Sequence, residues 1–222
     1  METITKLQKT LLQVFSESPG GEHFYLTGGT ALAYFYLKHR MSNDLDFFTS
    51  TAELIVPFSH SLEERLRATG MFIERKRGLH SFVELGVRRG HEATIVHLAQ
   101  DANFRIEGTK SFPEYPGLQV ESLIDIASNK LLALFGRAML SDFIDIYVLV
   151  KKAKFVPEEL IKNAKRKDPG FDLYWLGVAF GQINTFKDDS PEMLMLIEKV
   201  GFPELLAFFN KWREKITEEL KP

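Results

Sequence analysis

The chain has 222 residues, of which 45% are hydrophobic, with a formal net charge of −2 and no cysteine. That length accommodates one large domain or two small ones with a packed core, and the near-neutral charge excludes bulk attraction to a polyanion, leaving only local patches. The absence of cysteine excludes a disulfide framework, a cysteine-based metal site and a thiol nucleophile, and suits a reducing compartment.

In chain order, residues 4–15 read as an amphipathic first helix, too charged to serve as a signal peptide. No later run is long and apolar enough to span a bilayer, so a cytoplasmic protein with no membrane partner is expected. Phe24-Tyr25-Leu26-Thr27 predicts a short strand, Gly28-Gly29-Thr30 a turn, and residues 31–37 the first turns of a buried helix. Asp44-Leu45-Asp46-Phe47-Phe48 predicts a second strand, followed by a helix over 61–69 and strands over 71–75, 81–87 and 93–98. Arg88-Arg89-Gly90-His91 reads as a hairpin turn joining the last two. Phe112-Pro113-Glu114-Tyr115-Pro116-Gly117 is a cluster of breakers, read here as a linker between an α/β core over 1–115 and a helical domain over 116–222. Ser122-x-x-Asp125 opens a helix running to about Phe135, and further helices are predicted over 141–151, 157–167, 171–184, 191–199 and 203–219.

Chemistry concentrates in the first third. With a side-chain period of two, Asp44 and Asp46 project from one face of their strand while Leu45 and Phe47 point to the other. Two carboxylates so close repel each other, and a divalent cation relieves that repulsion. Mg²⁺, or Mn²⁺ in its place, takes hard oxygen ligands and is commonly completed by water and substrate phosphates. Gly28 and Gly29 would let backbone N–H groups approach a phosphate at the positive end of the following helix, and Thr30 could cap that helix or bond a phosphate oxygen. An isolated Asp-x-Asp is more often a solvated pair; the Gly-Gly-Thr turn and the apolar strand shift this one toward metal and nucleoside triphosphate.

A resemblance enters on these residues. Leu26-Thr27-Gly28-Gly29-Thr30-Ala31-Leu32-Ala33, with His39-Arg40-Met41-Ser42-Asn43-Asp44-Leu45-Asp46-Phe47-Phe48, resembles the signature of the AbiEii/AbiGii toxin family, itself similar to polymerase beta-type nucleotidyltransferases. A second block, Lys130-Leu131-Leu132-Ala133-Leu134-Phe135-Gly136-Arg137 and then Asp142-Phe143-Ile144-Asp145-Ile146-Tyr147, is similar to the family's downstream helical motif. Helical geometry puts Lys130 and Arg137 two turns apart along one face, where they either meet a triphosphate or lie on a solvated surface. Asp142 and Asp145 also share a face. The resemblance favours Asp145 as the residue that orients a cation; a helix cap or surface pairing is the competing reading.

Other groups stay open. A polymerase beta-type site carries a further acid on a neighbouring strand, but Ala93-Thr94-Ile95-Val96-His97-Leu98 offers none. His97 could act as base or ligand, Glu84 or Asp101 could substitute, or the site could run on two carboxylates; a satisfied structural histidine is the commoner case. Arg40 could pair with Asp44 or Asp46, contact substrate phosphate, or be a turn residue. The runs Arg75-Lys76-Arg77, Arg88-Arg89 and Lys162 to Lys167 are either solvated faces or, if they ring the site, a phosphate track. The aromatic segments 171–180 and 202–212 read as helix-packing stripes.

The expectation is therefore an α+β nucleotidyltransferase fold, a mixed sheet flanked by helices and followed by a helical bundle. Its Mg²⁺-dependent reaction would move a nucleoside monophosphate from an NTP to a hydroxyl of RNA, tRNA included, or of protein. Asp44 and Asp46 would hold metal. Gly28, Gly29, Thr30, Arg40, Lys130 and Arg137 would bind the nucleotide, and Lys130 and Asp145 would assist catalysis. The family implies a toxin of a toxin–antitoxin or phage-defence pair, with a cognate antitoxin as partner. A non-catalytic nucleotide-binding module and a metal-dependent nuclease or phosphohydrolase are the alternatives.

Overall fold

The computed structural model describes residues 2–102 and 104–221. Its contacts divide the chain into two compact units, Met1–Leu123 and Ile124–Pro222.

The first unit is built on a mixed seven-stranded sheet of order β3-β4-β5-β2-β1-β7-β6. The strands are β1 (Tyr25–Thr27), β2 (Asp44–Thr49), β3 (Phe72–Leu79), β4 (Phe82–Arg89), β5 (Glu92–Gln100), β6 (Lys110–Phe112) and β7 (Tyr115–Val120). Pairings β2–β5 and β1–β7 are parallel and the rest antiparallel. Alternation sorts the faces. Leu45 and Phe47, Val83, Leu85 and Val87, and Val96 and Leu98 are buried, all on the face covered by helices α1 (Lys6–Ser16) and α3 (Ile55–Ala68). There Phe47 stacks on Phe15 at 3.7 Å between ring centroids, and Phe58 closes the cluster at 5.1 Å from Phe15. Burying each such ring contributes roughly 1.5–3 kcal/mol, which fixes β2 in register and so fixes its other face.

Helix α1 starts at a reciprocal capping box between Thr5 and Gln8. Helix α3 begins at Ile55, earlier than the predicted 61, because Pro57 falls in the first turn, where its missing N–H costs nothing. The Gly90-His91 hairpin forms as expected, with Gly90 at φ +61. Residues 112–117 are not a linker. They form the β6–β7 turn and the start of β7, and a Cβ on Gly117 would collide with the Ser16 carbonyl, so this glycine serves close packing rather than flexibility.

The second unit is helical. Helices α4 (Leu123–Arg137) and α5 (Leu140–Lys151) form a hairpin turned at Ala138, which takes φ +47. Helix α6 (Pro157–Lys167) follows the dipole rule, with Glu158 and Glu159 in its first turn and Lys165, Arg166 and Lys167 in its last. Helix α7 (Leu173–Gly181) is capped by Asp172, whose side chain accepts from the Trp175 amide at 3.1 Å. A single turn, α8 (Pro191–Leu194), stands where a helix over 191–199 was predicted. Helix α9 (Phe202–Glu219) buries Leu205, Phe209, Trp212 and Ile216 along one stripe, with Phe209 and Trp212 against Phe180 of α7 at 5.2 and 4.9 Å between centroids. The aromatic segment 171–180 is a packing stripe only in part, because Tyr174 and Trp175 are exposed.

Candidate active site

Asp44 and Asp46 stand half-buried on the sheet face opposite α1 and α3, with Leu45 and Phe47 fully buried behind them. Burial first, and the Asp46 charge second, push the Asp44 carboxyl above its usual range, while His97 pulls the other way. The pair thus carries a repulsion that His97 only partly offsets, and its donor chemistry fits a divalent cation held by two carboxylates and otherwise by water and phosphate. Among the described residues no group of three or more His, Asp or Glu side chains is arranged to hold a metal.

The turn after β1 is built around Asp46. Gly28 sits at φ +71, where other residues are strained, and a Cβ there would strike the Asp46 carboxylate. A Cβ on Gly29 would come within 2.7 Å of an Arg40 guanidinium nitrogen and 3.0 Å of the Ser42 hydroxyl. Both glycines thus permit a close approach, one to the carboxylate and one to the buried Arg40, whose Nη1 also donates to the Met41 carbonyl at 2.9 Å. The helix opens as one α turn, α2 (Gly28–Thr30), then widens to a π turn over Ala31–Leu37, closed by Lys38 at φ +53. The Lys38 amide accordingly donates to the Ala33 carbonyl, five residues back. Thr30 does not cap the helix. It is fully buried and its hydroxyl donates to the Asp44 carbonyl, so it fastens the turn to the carboxylate strand.

A row of polar side chains crosses the sheet at the level of Asp46. Its register partners are Thr27 on β1 and His97 on β5, and His97 in turn faces Glu84 on β4. His97 Nδ1 lies 2.8 Å from Asp46 Oδ1, and this hydrogen bond is the main reason the imidazole is held above its ordinary pKa. On the other side, the Thr27 hydroxyl donates to the buried Glu121 carboxylate. Glu84 lies in the row, one strand beyond His97, with Arg77 Nε 3.6 Å away. Asp101 is removed from it: its carboxylate accepts from the Tyr25 hydroxyl and its amide donates to the Thr49 carbonyl, past the far end of β2. Sequence reasoning missed Thr27 and Glu121 because their meaning depends on which strands become neighbours.

In the helical unit, Lys130 of α4 is almost fully buried, with Nζ 2.7 Å from Asp145 and 3.5 Å from Asp142 on α5. Arg137 forks onto Asp142 through Nε at 2.8 Å and Nη2 at 3.0 Å, and is itself half exposed. Both aspartates are fully buried, so these pairs satisfy charges that would be costly alone. A second buried pair, Lys167 with Asp125 at 2.8 Å, ties the end of α6 to the start of α4. The expected basic patches separate: Arg75 turns to Ser59 and Glu63 of α3, Arg89 to Thr10 of α1, and Arg88 lies over the Phe72 ring.

Residues 10–173 match the model of the nucleotidyl transferase AbiEii toxin family, described as a type IV toxin–antitoxin system. The chain belongs to this family. The two blocks that carry the resemblance, between Leu26 and Phe48 and between Lys130 and Tyr147, lie within the matched stretch. An uncharacterized protein of Aquifex aeolicus is 28% identical over 219 residues, covering 95% of this chain and 96% of that one. Among solved structures, a putative nucleotidyltransferase from H. pylori superposes with TM-score 0.59 at 17% identity, covering 98% of this chain and 96% of that chain. The MenT4 nucleotidyltransferase toxin from Mycobacterium tuberculosis does so with TM-score 0.59 at 19% identity, covering 96% and 82%. At such identities these structures establish the fold, an α+β nucleotidyltransferase fold. No helix among the described residues is long and apolar enough to cross a membrane.

Proposed function

We propose that this AbiEii-family protein transfers a nucleoside monophosphate from an NTP to a hydroxyl of an RNA acceptor, releasing pyrophosphate, and acts as the toxin beside a cognate antitoxin. The observation that carries the reading is the Asp44–Asp46 pair standing half-buried on one sheet face against a turn whose Gly28 has no room for a side chain. Asp44 and Asp46 would hold Mg²⁺ or Mn²⁺, which when bound offsets phosphoryl charge and steadies the entering and leaving oxygens of an in-line displacement. Backbone N–H groups of Gly28, Gly29 and Thr30 open a helix and have no partner within it, so they are suited to phosphate oxygens. Arg40 supplies positive charge directly behind Gly29. His97 fixes the orientation of the Asp46 carboxylate through Oδ1. Within the helical unit, Asp145 orients Lys130 at 2.7 Å and Asp142 holds Arg137. Catalysis in this scheme is positioning and charge stabilisation rather than covalent chemistry.

Incubation with each α-labelled NTP, Mg²⁺ and total RNA tests the scheme, comparing wild type with Asp44→Ala/Asp46→Ala. Label on RNA from the wild type alone is expected; no label on any acceptor with any NTP would sink the transferase reading. One observation favours a second reading, a nucleotide-binding module without turnover: a histidine occupies the β5 position beside Asp46 where an acid is expected. That reading requires NTP binding with no pyrophosphate released.

A further inference from the structure

Strand β3 carries three consecutive cations, and the sheet separates them. Arg75 pairs in register with Leu85 and points to the helix-covered face, where it bonds Ser59 and Glu63. Two residues on, regular alternation would send Arg77 the same way. Instead the register shifts between Arg75 and Arg77, so that Arg77 faces Glu84 on the carboxylate side and Lys76 is left with no partner on β4. Such a bulge re-aims side chains and is common beside active sites. Here it turns Arg77 onto the carboxylate face, beside Lys76, which alternation from Glu74 opposite Gly86 already places there. The lysine stem lies across Gly86 of β4: a Cβ on that glycine would meet Lys76 Cε at 3.0 Å, with the Glu74 carboxylate at 3.8 Å. Gly86 faces Ile95 on β5, and Ile95 faces Asp44 on β2. Lys76 thus lies over the row that ends at Asp44, where burial and then Asp46 raise the carboxyl and the lysine charge is the least of the opposing influences.

Of the three cations, Arg75 is committed to Glu63 and Arg77 lies near Glu84, whereas Lys76 is exposed and forms no ion pair among the described residues. From Gly86 to Asp44 is two strand spacings, roughly 9–10 Å, a gap that a nucleotide-sized group bridges. Direction decides which group. The Gly28–Gly29 turn lies on the β1 side of the carboxylates, and Lys76 approaches from the β4 side. In an in-line displacement the entering and leaving groups occupy opposite sides of phosphorus. With the pyrophosphate leaving toward the glycine turn, the acceptor enters from the side of Lys76.

We propose that Lys76, placed on the carboxylate face beside the β3 bulge and given passage by Gly86, binds a backbone phosphate of the RNA acceptor beside Asp44. The assignment rests on the transferase reading above, yet it is tested by binding alone. The probe is a short fluorescein-labelled single-stranded oligoribonucleotide, titrated by anisotropy over a series of salt concentrations. In parallel, a fluorescent ATP analogue with Mg²⁺ reports nucleotide binding, and circular dichroism checks folding. Lys76→Ala is expected to weaken RNA binding about three- to tenfold and to reduce the salt slope by about 0.7, the share of one phosphate contact on a single strand. Nucleotide affinity should stay unchanged. Lys76→Arg should restore RNA binding, and Gly86→Val, which keeps every charge but obstructs the lysine, should mimic Lys76→Ala. Arg65→Ala removes one positive charge from the exposed side of α3 and should leave the slope unchanged. A Lys76→Ala protein that loses nucleotide rather than RNA would overturn the acceptor assignment while leaving the transferase reading intact. So would RNA binding that is absent in the wild type, or equally affected by Arg65→Ala.

Discussion

The two units carry the same residue types under opposite conditions. On the sheet, Asp44 and Asp46 are half-buried and face each other's repulsion, with a single imidazole on one oxygen of Asp46. In the helical hairpin, Asp142 and Asp145 are fully buried and are answered from within by Lys130 and Arg137. The difference teaches where charge is left for something outside the chain. A buried carboxylate matched by a cation is part of how a unit holds together; a half-open pair answered only in part is a place prepared for one.

Substitutions can break that contrast. The largest effect is expected for Asp46→Ala: transfer should fall at least about 10³-fold, the scale of losing a principal electrostatic group at a reacting centre. The melting temperature should hold or rise, because repulsion with Asp44 is relieved, and label transfer and calorimetry read the two quantities separately. Asp145→Ala should do the reverse in kind, costing about 3–5 kcal/mol in denaturant unfolding because Lys130 is left buried without its closest partner. If Asp145→Ala unfolds no more easily than wild type, the hairpin cluster is not structural. Gly28→Ala falls between, with about 1–3 kcal/mol of backbone strain at φ +71 added to a collision with Asp46. Its signature is loss of transfer together with loss of stability, which Asp46→Ala should not show. The smallest effect is expected for Arg77→Ala, an exposed side chain on the edge strand with its partner Glu84 as far as 3.6 Å away, and unfolding should shift by less than about 0.5 kcal/mol.

Much of the carboxylate strand was legible because its signal is local. Alternation alone separated Asp44 and Asp46 from Leu45 and Phe47, and the Gly-Gly turn announced a close approach. The partner of that approach was not legible: that Gly28 makes room for Asp46, and Gly29 for Arg40, follows from β1 and β2 lying antiparallel and adjacent. The linker expected over 112–117 failed for a related reason. Proline and glycine mark any break in regular structure, and only packing against Ser16 shows that Gly117 closes a hairpin onto α1. The bulge at Lys76 left no trace in composition, since Glu-Arg-Lys-Arg-Gly alternates equally well in either register. The π turn over 31–37 was likewise silent, because a helix pattern one hydrogen bond wider has the same residues. Lys130 and Arg137 shared a helix face as the spacing required, but the spacing did not reveal that Lys130 is buried between two aspartates.

The most direct test of the account couples two products of one reaction. With Mg²⁺, RNA and the NTP that labels it, pyrophosphate and RNA-bound nucleotide should appear in equal amounts in the wild type, and both should vanish in Asp46→Asn while the helical unit's contribution to stability is unchanged. Cleaved RNA without bound nucleotide, orthophosphate in place of pyrophosphate, or undiminished transfer by Asp46→Asn would contradict it.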